Sequence, residues 1–295
     1  MSENYASAGY QNKKQLKIVL LLTGSYLVAE VIGGVLTGSL ALLADAAHML
    51  TDVGGLALAL FAIHMTQRAA TNKRTYGYYR AEILAALANA VVLIGISIYI
   101  LYEAYGRFKN PPEVSSKTML IVAGIGLVIN IIGMLILRKG SNESLNMKGA
   151  YFEVLSDMLT SVGVIIAAII MLTTGWWYAD PLISAGIGLF ILPRTWILLK
   201  DAIGVLLEGT PSDVNVEELR AGITEIPGVK AVHDLHVWVL TSGFNAMSAH
   251  IVINEGLSYH STLQLINDTI TANYKIRHTT IQLEMGKYEE QETHL

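Results

Sequence analysis

The segment from Thr118 to Leu137, TMLIVAGIGLVINIIGMLIL, has no charged residue over 20 positions. An α-helix rises about 1.5 Å per residue, so this stretch spans about 30 Å, the thickness of the hydrocarbon core of a bilayer. A second uncharged run, from Ile83 to Tyr102, has the same length. Both segments predict transmembrane helices, and the chain is therefore predicted to be an integral membrane protein.

Four further apolar segments flank these two and carry only a few charges. They are Ile18 to about Leu42, about Ala41 to Met65, about Gly149 to Gly175, and Pro181 to Leu199. A tight break at Thr37-Gly38-Ser39 separates the first two. The sequence thus predicts an all-α transmembrane domain of six helices over residues 16–207, preceded by a loose tail over residues 1–15.

Basic residues in the short loops predict the orientation. Ten basic residues precede the first helix or follow the second and fourth helices: Lys13, Lys14, Lys17, Arg68, Lys73, Arg74, Arg80, Arg138, Lys139 and Lys148. Only three lie in the loop after the third helix, namely Arg107, Lys109 and Lys117. Because basic loops stay on the cytoplasmic side, both termini are predicted to be cytoplasmic.

The overall composition excludes several classes of protein. Charged residues make up 15% of the 295 residues and hydrophobic residues 53%, whereas a soluble domain carries about 25% charge. A net charge of −4 gives no basic patch for nucleic acid. Cysteine is absent, so a metal would have nitrogen or oxygen ligands only.

Residues 208–295 have the composition of a small soluble domain. Apolar spacing and turn residues predict the order αββαβ, with elements at Val216 to Ile226, Val229 to Leu240, Ala246 to Asn254, Ser261 to Tyr274 and His278 to Met285. This order indicates a two-layer α+β domain, too small to contain a deep catalytic cleft of its own.

Two pairs of ionisable residues interrupt the apolar helices. His48 and Asp52, and likewise Glu153 and Asp157, are four positions apart, so each pair shares one helix face. Facing each other, the pairs would supply four ligands to a tetrahedral divalent cation, and imidazole suits zinc. Interhelical hydrogen bonding is the alternative for any one of these residues, but two matched pairs favour an ion site.

Two other acids, Glu30 and Asp45, also lie in predicted helices. Asp45 is seven positions before Asp52 and shares its helix face. We expect interhelical contacts for both acids, with a relay role for Asp45 and water-lined access at Glu30 as alternatives.

Five motifs resemble those of the cation diffusion facilitators, in the branch that exports zinc, cobalt and cadmium. The motifs are Gly38 to Asp52 (GSLALLADAAHMLTD), Lys148 to Asp157 (KGAYFEVLSD), Ala179-Asp180-Pro181, Glu208 to Pro211 (EGTP) and Val232 to Trp238 (VHDLHVW). The resemblance extends from about Lys17 to Glu284. It implies a homodimeric metal/proton antiporter of a prokaryotic cell (inner) membrane, with a ferredoxin-like, metallochaperone-like cytoplasmic domain.

The resemblance also assigns site residues. His48, Asp52 and Asp157 correspond to transport ligands, while Glu153 stands where this branch usually has histidine and so makes three carboxylates around one ion. In the cytoplasmic domain His233, His250 and Glu284 correspond to zinc ligands, with His260 and Gln282 as further candidates; some members have histidine in place of Gln282. The alternative is that these residues of the cytoplasmic domain are ordinary surface residues of strands and bind no metal. His236 is expected on the strand face opposite His233.

The predicted function is efflux of a divalent cation, zinc before cadmium, cobalt, manganese or iron, in exchange for protons. An intramembrane metalloenzyme is disfavoured, because four protein ligands leave no open position and no H-E-x-x-H pattern occurs. A membrane-anchored metal sensor is a further alternative, but four ligands at matched membrane depth argue against it. Partners are thus expected to be metal ions, protons, the lipid bilayer and a second copy of the chain, with no nucleic acid.

Overall fold

A computed structural model describes the backbone of residues 7–66, 70–138, 145–241 and 243–285, and side chains from residue 17 onward except those of residues 52, 55–66 and 145–150. The helices are α1 Ser7–Thr37, α2 Leu40–Thr66, α3 Arg80–Lys109, α4 Ser116–Arg138, α5 Leu145–Thr174, α6 Ala179–Leu206, α7 Val216–Thr224 and α8 Tyr259–Tyr274. The strands are β1 Val229–Thr241, β2 Phe244–Ile253 and β3 His278–Met285. The chain forms two compact units, Met1–Phe61 with Ala86–Leu199, and Ala62–Ala85 with Lys200–Leu295.

The first unit is helical and apolar. Five described segments are long and apolar enough to cross a membrane: Lys17–Thr37, Arg80–Lys109, Ser116–Arg138, Tyr151–Thr174 and Ala179–Leu206. Helix α2 is 27 residues long, and its described part, Leu40–Thr51, is apolar. The predicted membrane part of apolar helices, followed by a small α+β domain, is confirmed.

Several helices extend beyond their apolar segments. Helix α1 begins at Ser7, so part of the predicted loose tail is helical, and α3 and α6 continue to Lys109 and Leu206. Hydropathy marks the part of a helix that suits hydrocarbon, whereas the backbone hydrogen bonds continue until a residue breaks them. No proline lies between Ser7 and Ile18, and lysine, glutamine and leucine are good helix formers.

A carboxylate from α6 caps the start of α2. Gly38 adopts a left-handed backbone with φ of 71° at the turn from α1. Buried Asp180 accepts hydrogen bonds from Leu40 N at 2.9 Å, Ala41 N at 3.2 Å and Ser39 Oγ at 2.6 Å. The first amides of a helix have no partner within the helix, so this cap stabilises α2 by about 1–2 kcal/mol. It also holds the start of α2 against α6.

Helix α4 packs closely against its neighbours because of its small residues. A Cβ on Gly126 would lie 2.0 Å from Tyr26 Oη, so only glycine leaves room for this buried tyrosine of α1. A Cβ on Gly133 would meet Val154 of α5 at 3.4 Å. Small residues allow such close approach of helices in membranes, where dispersion contacts replace the hydrophobic effect as the driving force.

The second unit contains the predicted αββαβ domain. Strand β2 lies between β1, which it pairs with antiparallel, and β3, which it pairs with in parallel. Helices α7 and α8 cover one face of this sheet, and the fully buried core includes Leu219, Ile223, Met247, Ile251, Ile266 and Ile270. Alternate residues of β2 enter this core, which places His250 on the other face of the sheet.

The segment Ala62–Ala85 belongs to this same unit, and side chains near the start of α3 contact the α+β domain. The ring of Tyr79 stacks on Phe244 with centroids 5.3 Å apart. Arg80 Nη2 lies 3.0 Å from Glu208 Oε1 at the end of α6. These contacts connect the start of α3 to the domain that follows α6.

Candidate metal sites

His48 on α2 and Asp157 on α5 come together inside the first unit. Both side chains are 4% exposed, and His48 Nε2 lies 4.0 Å from Asp157 Oδ1. The same nitrogen is 3.1 Å from Ser156 Oγ. The structure therefore brings one member of each predicted ligand pair into a shared buried location between two helices.

The other two predicted transport ligands are Asp52 and Glu153, one on each of the same two helices. Asp52 lies on α2 one turn after His48, and its side chain is outside the described residues. Glu153 lies on α5 one turn before Asp157, and its Oε1 is 3.3 Å from Nη2 of Arg194 on α6. These side chains are 43% and 57% exposed. The four-ligand set remains a prediction. The structure places the guanidinium of Arg194 beside Glu153, the residue that stands where this branch usually has histidine.

Arg194 had no predicted role, although the sequence contains a signal for it. A cation within the apolar run of α6 is costly unless it is paired or faces water. The extra carboxylate at Glu153 is the partner that such a cation needs. Only the three-dimensional packing of α5 on α6 shows that the two belong together.

The acids Glu30 and Asp45 are both buried and each accepts a hydrogen bond from a neighbouring hydroxyl. Ser161 of α5 donates a hydrogen bond to Asp45 Oδ2 at 3.3 Å, and the Asn130 amide of α4 donates to Ser161 Oγ at 3.4 Å. Tyr26 donates to Glu30 Oε1 at 3.0 Å. Asp45 thus makes the interhelical contact that was expected of it.

Three strands assemble a second candidate site on the open face of the α+β domain. His233 of β1 is paired in register with His250 of β2. Glu284 of β3 contacts both rings, with its Oε2 3.0 Å from His233 Nε2 and its Oε1 3.2 Å from His250 Nδ1. All three ligand atoms lie within 4.8 Å of one another, an arrangement that fits one metal ion.

A distorted strand adds Asp234 to this cluster. The pairing of β1 with β2 shifts between His233 and His236, and Asp234 has a left-handed backbone with φ of 50°. Its Oδ2 is 3.9 Å from His250 Nε2, and its Oδ1 is 2.8 Å from His236 Nε2. The hydrogen bond with His236 lowers the pKa of Asp234, so the carboxylate is ionised at neutral pH. Strict alternation along β1 would place Asp234 away from His233, so sequence reasoning missed it.

The two further candidates differ in position. Gln282 lies two residues before Glu284 on β3 and donates from Nε2 to Glu284 Oε1 at 3.0 Å, so it orients this carboxylate. His260 is exposed in the first turn of α8. Metal binding by Gln282 or His260 remains a prediction.

Comparison with protein families accounts for nearly all of the chain. The cation efflux transmembrane domain matches residues 16–207, and the cation efflux protein cytoplasmic domain matches residues 211–285. The chain belongs to the cation efflux family. Membership confirms the resemblance to the cation diffusion facilitators, and it makes this efflux protein a membrane transporter of metal cations and not an enzyme.

Several curated relatives resemble the efflux protein over most of their length. The metal cation efflux system protein CzcD of Cupriavidus metallidurans is 52% identical over 95% of this chain and 89% of that protein. A cadmium, cobalt and zinc/H(+)-K(+) antiporter of Bacillus velezensis is 43% identical over 99% and 95%. The zinc transporter ZitB of Pectobacterium atrosepticum is 42% identical over 96% and 89%.

Proposed function

We propose that this efflux protein exports zinc from the cytoplasm across a prokaryotic cell (inner) membrane in exchange for protons, with both termini cytoplasmic. The observation that carries the proposal is the buried approach of His48 to Asp157, 4.0 Å apart between α2 and α5. Ionisable groups buried at membrane depth are costly and mark ion pathways. Relatives named as a zinc transporter and as a cadmium, cobalt and zinc/H(+)-K(+) antiporter support both the metal and the exchange.

The exchange follows from competition for the same ligands. Imidazole and carboxylate bind a metal only when deprotonated, so protons that reach His48 and Asp157 weaken metal binding. In this proposal zinc enters from the cytoplasm and binds His48, Asp52, Glu153 and Asp157. It leaves on the far side, where protons take its place, and a rocking of helices exposes the site to each side in turn.

The cytoplasmic cluster is proposed as a second, regulatory zinc site. His233, His250 and Glu284 offer two nitrogens and a carboxylate in one place, with Asp234 adjacent. We propose that the protein is a homodimer, as the resemblance implies, and that zinc in this domain draws the two protomers together. Zinc binding to the cytoplasmic domain changes transport only if zinc binds with different affinity to the conformations that α2 and α5 adopt.

The test is reconstitution of the full-length protein in sealed liposomes with an imposed pH gradient. Zinc should accumulate when the gradient is present and stop when an ionophore collapses it, and Asp157→Asn should show no gradient-driven flux. The same vesicles rank cadmium, cobalt, manganese and iron against zinc. Zinc binding without flux under any gradient would refute the proposal and favour the membrane-anchored sensor.

A further inference from the structure

The helix ends that the proposed topology places outside, here called the outer ends, meet at one arginine. Arg107 lies in the last turn of α3, and its side chain is 17% exposed. Its Nη1 donates to Gly38 O of the α1–α2 turn at 2.6 Å and lies 3.5 Å from Asp180 Oδ2 at the start of α6. One nitrogen of Arg107 therefore joins α3 both to the turn before α2 and to the carboxylate that caps α2.

Other contacts keep the end of α3 in place independently of this nitrogen. Arg107 Nε donates to Glu103 Oε1 at 3.0 Å, one turn earlier on the same helix. Phe108 stacks on Tyr178 with ring centroids 6.4 Å apart, so the end of α3 also packs against the loop that leads into α6. The guanidinium thus stays on α3 whether or not its Nη1 reaches the α1–α2 turn.

The contacts of Nη1 can break without leaving a buried polar group unpaired. Asp180 keeps the hydrogen bonds from the first amides of α2, and Arg107 keeps its bond to Glu103. Gly38 is exposed, so its carbonyl can accept from water. Loss of the Asp180 cap, in contrast, would leave amides of buried residues without an acceptor, which is costly. If the helices move at this end, the contacts of Arg107 are therefore the ones that open.

Buried apolar residues close the space around these polar contacts. Leu40 of α2, Ala104 of α3 and Ala179 of α6 are each at most 2% exposed and belong to one core cluster. Ala104 is one turn before Arg107, and Ala179 directly precedes Asp180. Within lipid the hydrophobic effect does not drive helices together, so hydrogen bonds carry more of their association. Arg107 thus supplies a polar fastening to an end that is otherwise held by apolar packing.

We propose that Arg107 is a latch that holds the outer end of α2 closed against α3, and that its Nη1 leaves Gly38 and Asp180 before a bound ion exits on that side. The Asp180 cap remains in place during this step, while the turn around Gly38 moves away from α3. That the released cargo is a metal ion rests on the proposed function, whereas the closure by Arg107 does not.

The chain has no cysteine, so one introduced thiol reports the closure in the purified, full-length protein. Ala44→Cys places this reporter one turn beyond Leu40, at a position that is 0% exposed, and Val19→Cys places a second buried reporter near the other end of the apolar part of α1. Arg107→Gln should raise the rate at which a water-soluble methanethiosulfonate modifies Ala44→Cys about tenfold, as expected for loss of a charge-assisted hydrogen bond. The rate at Val19→Cys should not change.

Two control substitutions separate the latch from a general effect of charge. Lys109→Gln removes the same charge from an amine that lies 4.6 Å from the ring centroid of Tyr105 on its own helix, and it should leave both reporters unchanged. Arg107→Lys keeps the charge but lacks the planar fork, so it should raise the rate at Ala44→Cys by a smaller factor, and it decides the question if Arg107→Gln does not fold. An unchanged rate at Ala44→Cys in the Arg107 variants that fold, or an equal rise at both reporters, would overturn the proposal.

Liposomes that contain the Ala44→Cys protein link the latch to transport. Zinc flux driven by a pH gradient should speed modification of this thiol, because each cycle opens the outer end. With Arg107→Gln added, modification should be fast even without the gradient. Gradient-driven zinc flux without any change in modification would show that the ion leaves by another route, and it would overturn the latch. A protein that shows the Arg107 effect in detergent but moves no zinc would refute the proposed function alone.

Discussion

Replacement of Arg194 by glutamine should strengthen zinc binding at the transport site. With neutral His48, the predicted ligands carry a charge of −3 from Asp52, Glu153 and Asp157, and a divalent cation leaves −1. Arg194, 3.3 Å from Glu153, supplies the remaining positive charge. In the metal-free protein the same guanidinium competes with zinc for Glu153, so its removal favours the metal.

The size of this effect follows from the distance and the exposure of the pair. Unit charges 3.3 Å apart attract by about 1 kcal/mol at the dielectric constant of water and by about 5 kcal/mol at an effective value of about 20. Both side chains are about half exposed, so solvent screening favours the lower figure. A free energy of about 1 kcal/mol corresponds to an approximately fivefold gain in zinc affinity.

The assay is a double-mutant cycle on zinc affinity, measured in a His250→Ala background that weakens the proposed cytoplasmic site. Arg194→Gln should tighten binding about fivefold when Glu153 is present and much less in a Glu153→Gln protein. Added salt should reduce this coupling, because it screens an exposed pair. An equal gain in both backgrounds would show that Arg194 acts on the site without Glu153, and the reasoning on charge balance would fail.

Four other predictions address the remaining sites. Asp157→Ala should reduce gradient-driven zinc transport to background while the protein stays folded, as size-exclusion chromatography would show; near wild-type flux would place the site elsewhere. His250→Ala should weaken zinc binding to the cytoplasmic domain at least tenfold by calorimetry, roughly the least expected for a lost ligand, yet transport should persist. Asp180→Ala should cost about 1–2 kcal/mol of capping and lower the melting temperature by several degrees, with a milder loss of transport than Asp157→Ala; an unchanged melting temperature would contradict the cap. Finally, a cysteine at exposed Thr75 should be shielded from an impermeant thiol reagent in whole cells, while one at Tyr178 should react; the reverse would invert the topology.

The sequence predicts the broad fold because the constraints are large and local. An uncharged run of 20 residues such as Thr118 to Leu137 has few alternatives to a membrane helix. The αββαβ order likewise follows from periodicity and turn residues. Helix ends are less well predicted, as α1 shows by beginning at Ser7, because polar residues extend a helix without any change in its hydrogen bonding.

The sites depend on packing between distant segments, which spacing alone does not encode. The four-residue separation of His48 and Asp52 predicts a shared helix face. It gives no information on Arg194 of α6, which contacts Glu153 only because α5 and α6 pack together. Asp234 joins the cytoplasmic cluster through a local shift in strand pairing. Such a bulge breaks the alternation on which the prediction for β1 relied.

The cap that Asp180 places on α2 has a mechanical consequence. It makes the start of α2 a fulcrum, since Leu40 and Ala41 are held there by one carboxylate. His48 is eight residues along the helix, so it sits on a lever arm of about 12 Å. A tilt of about ten degrees about this fulcrum moves the imidazole by about 2 Å, roughly tenfold more than the variation that a metal–nitrogen bond tolerates. In the proposed mechanism, a small swing of α2 is therefore enough to open the coordination sphere and release the ion.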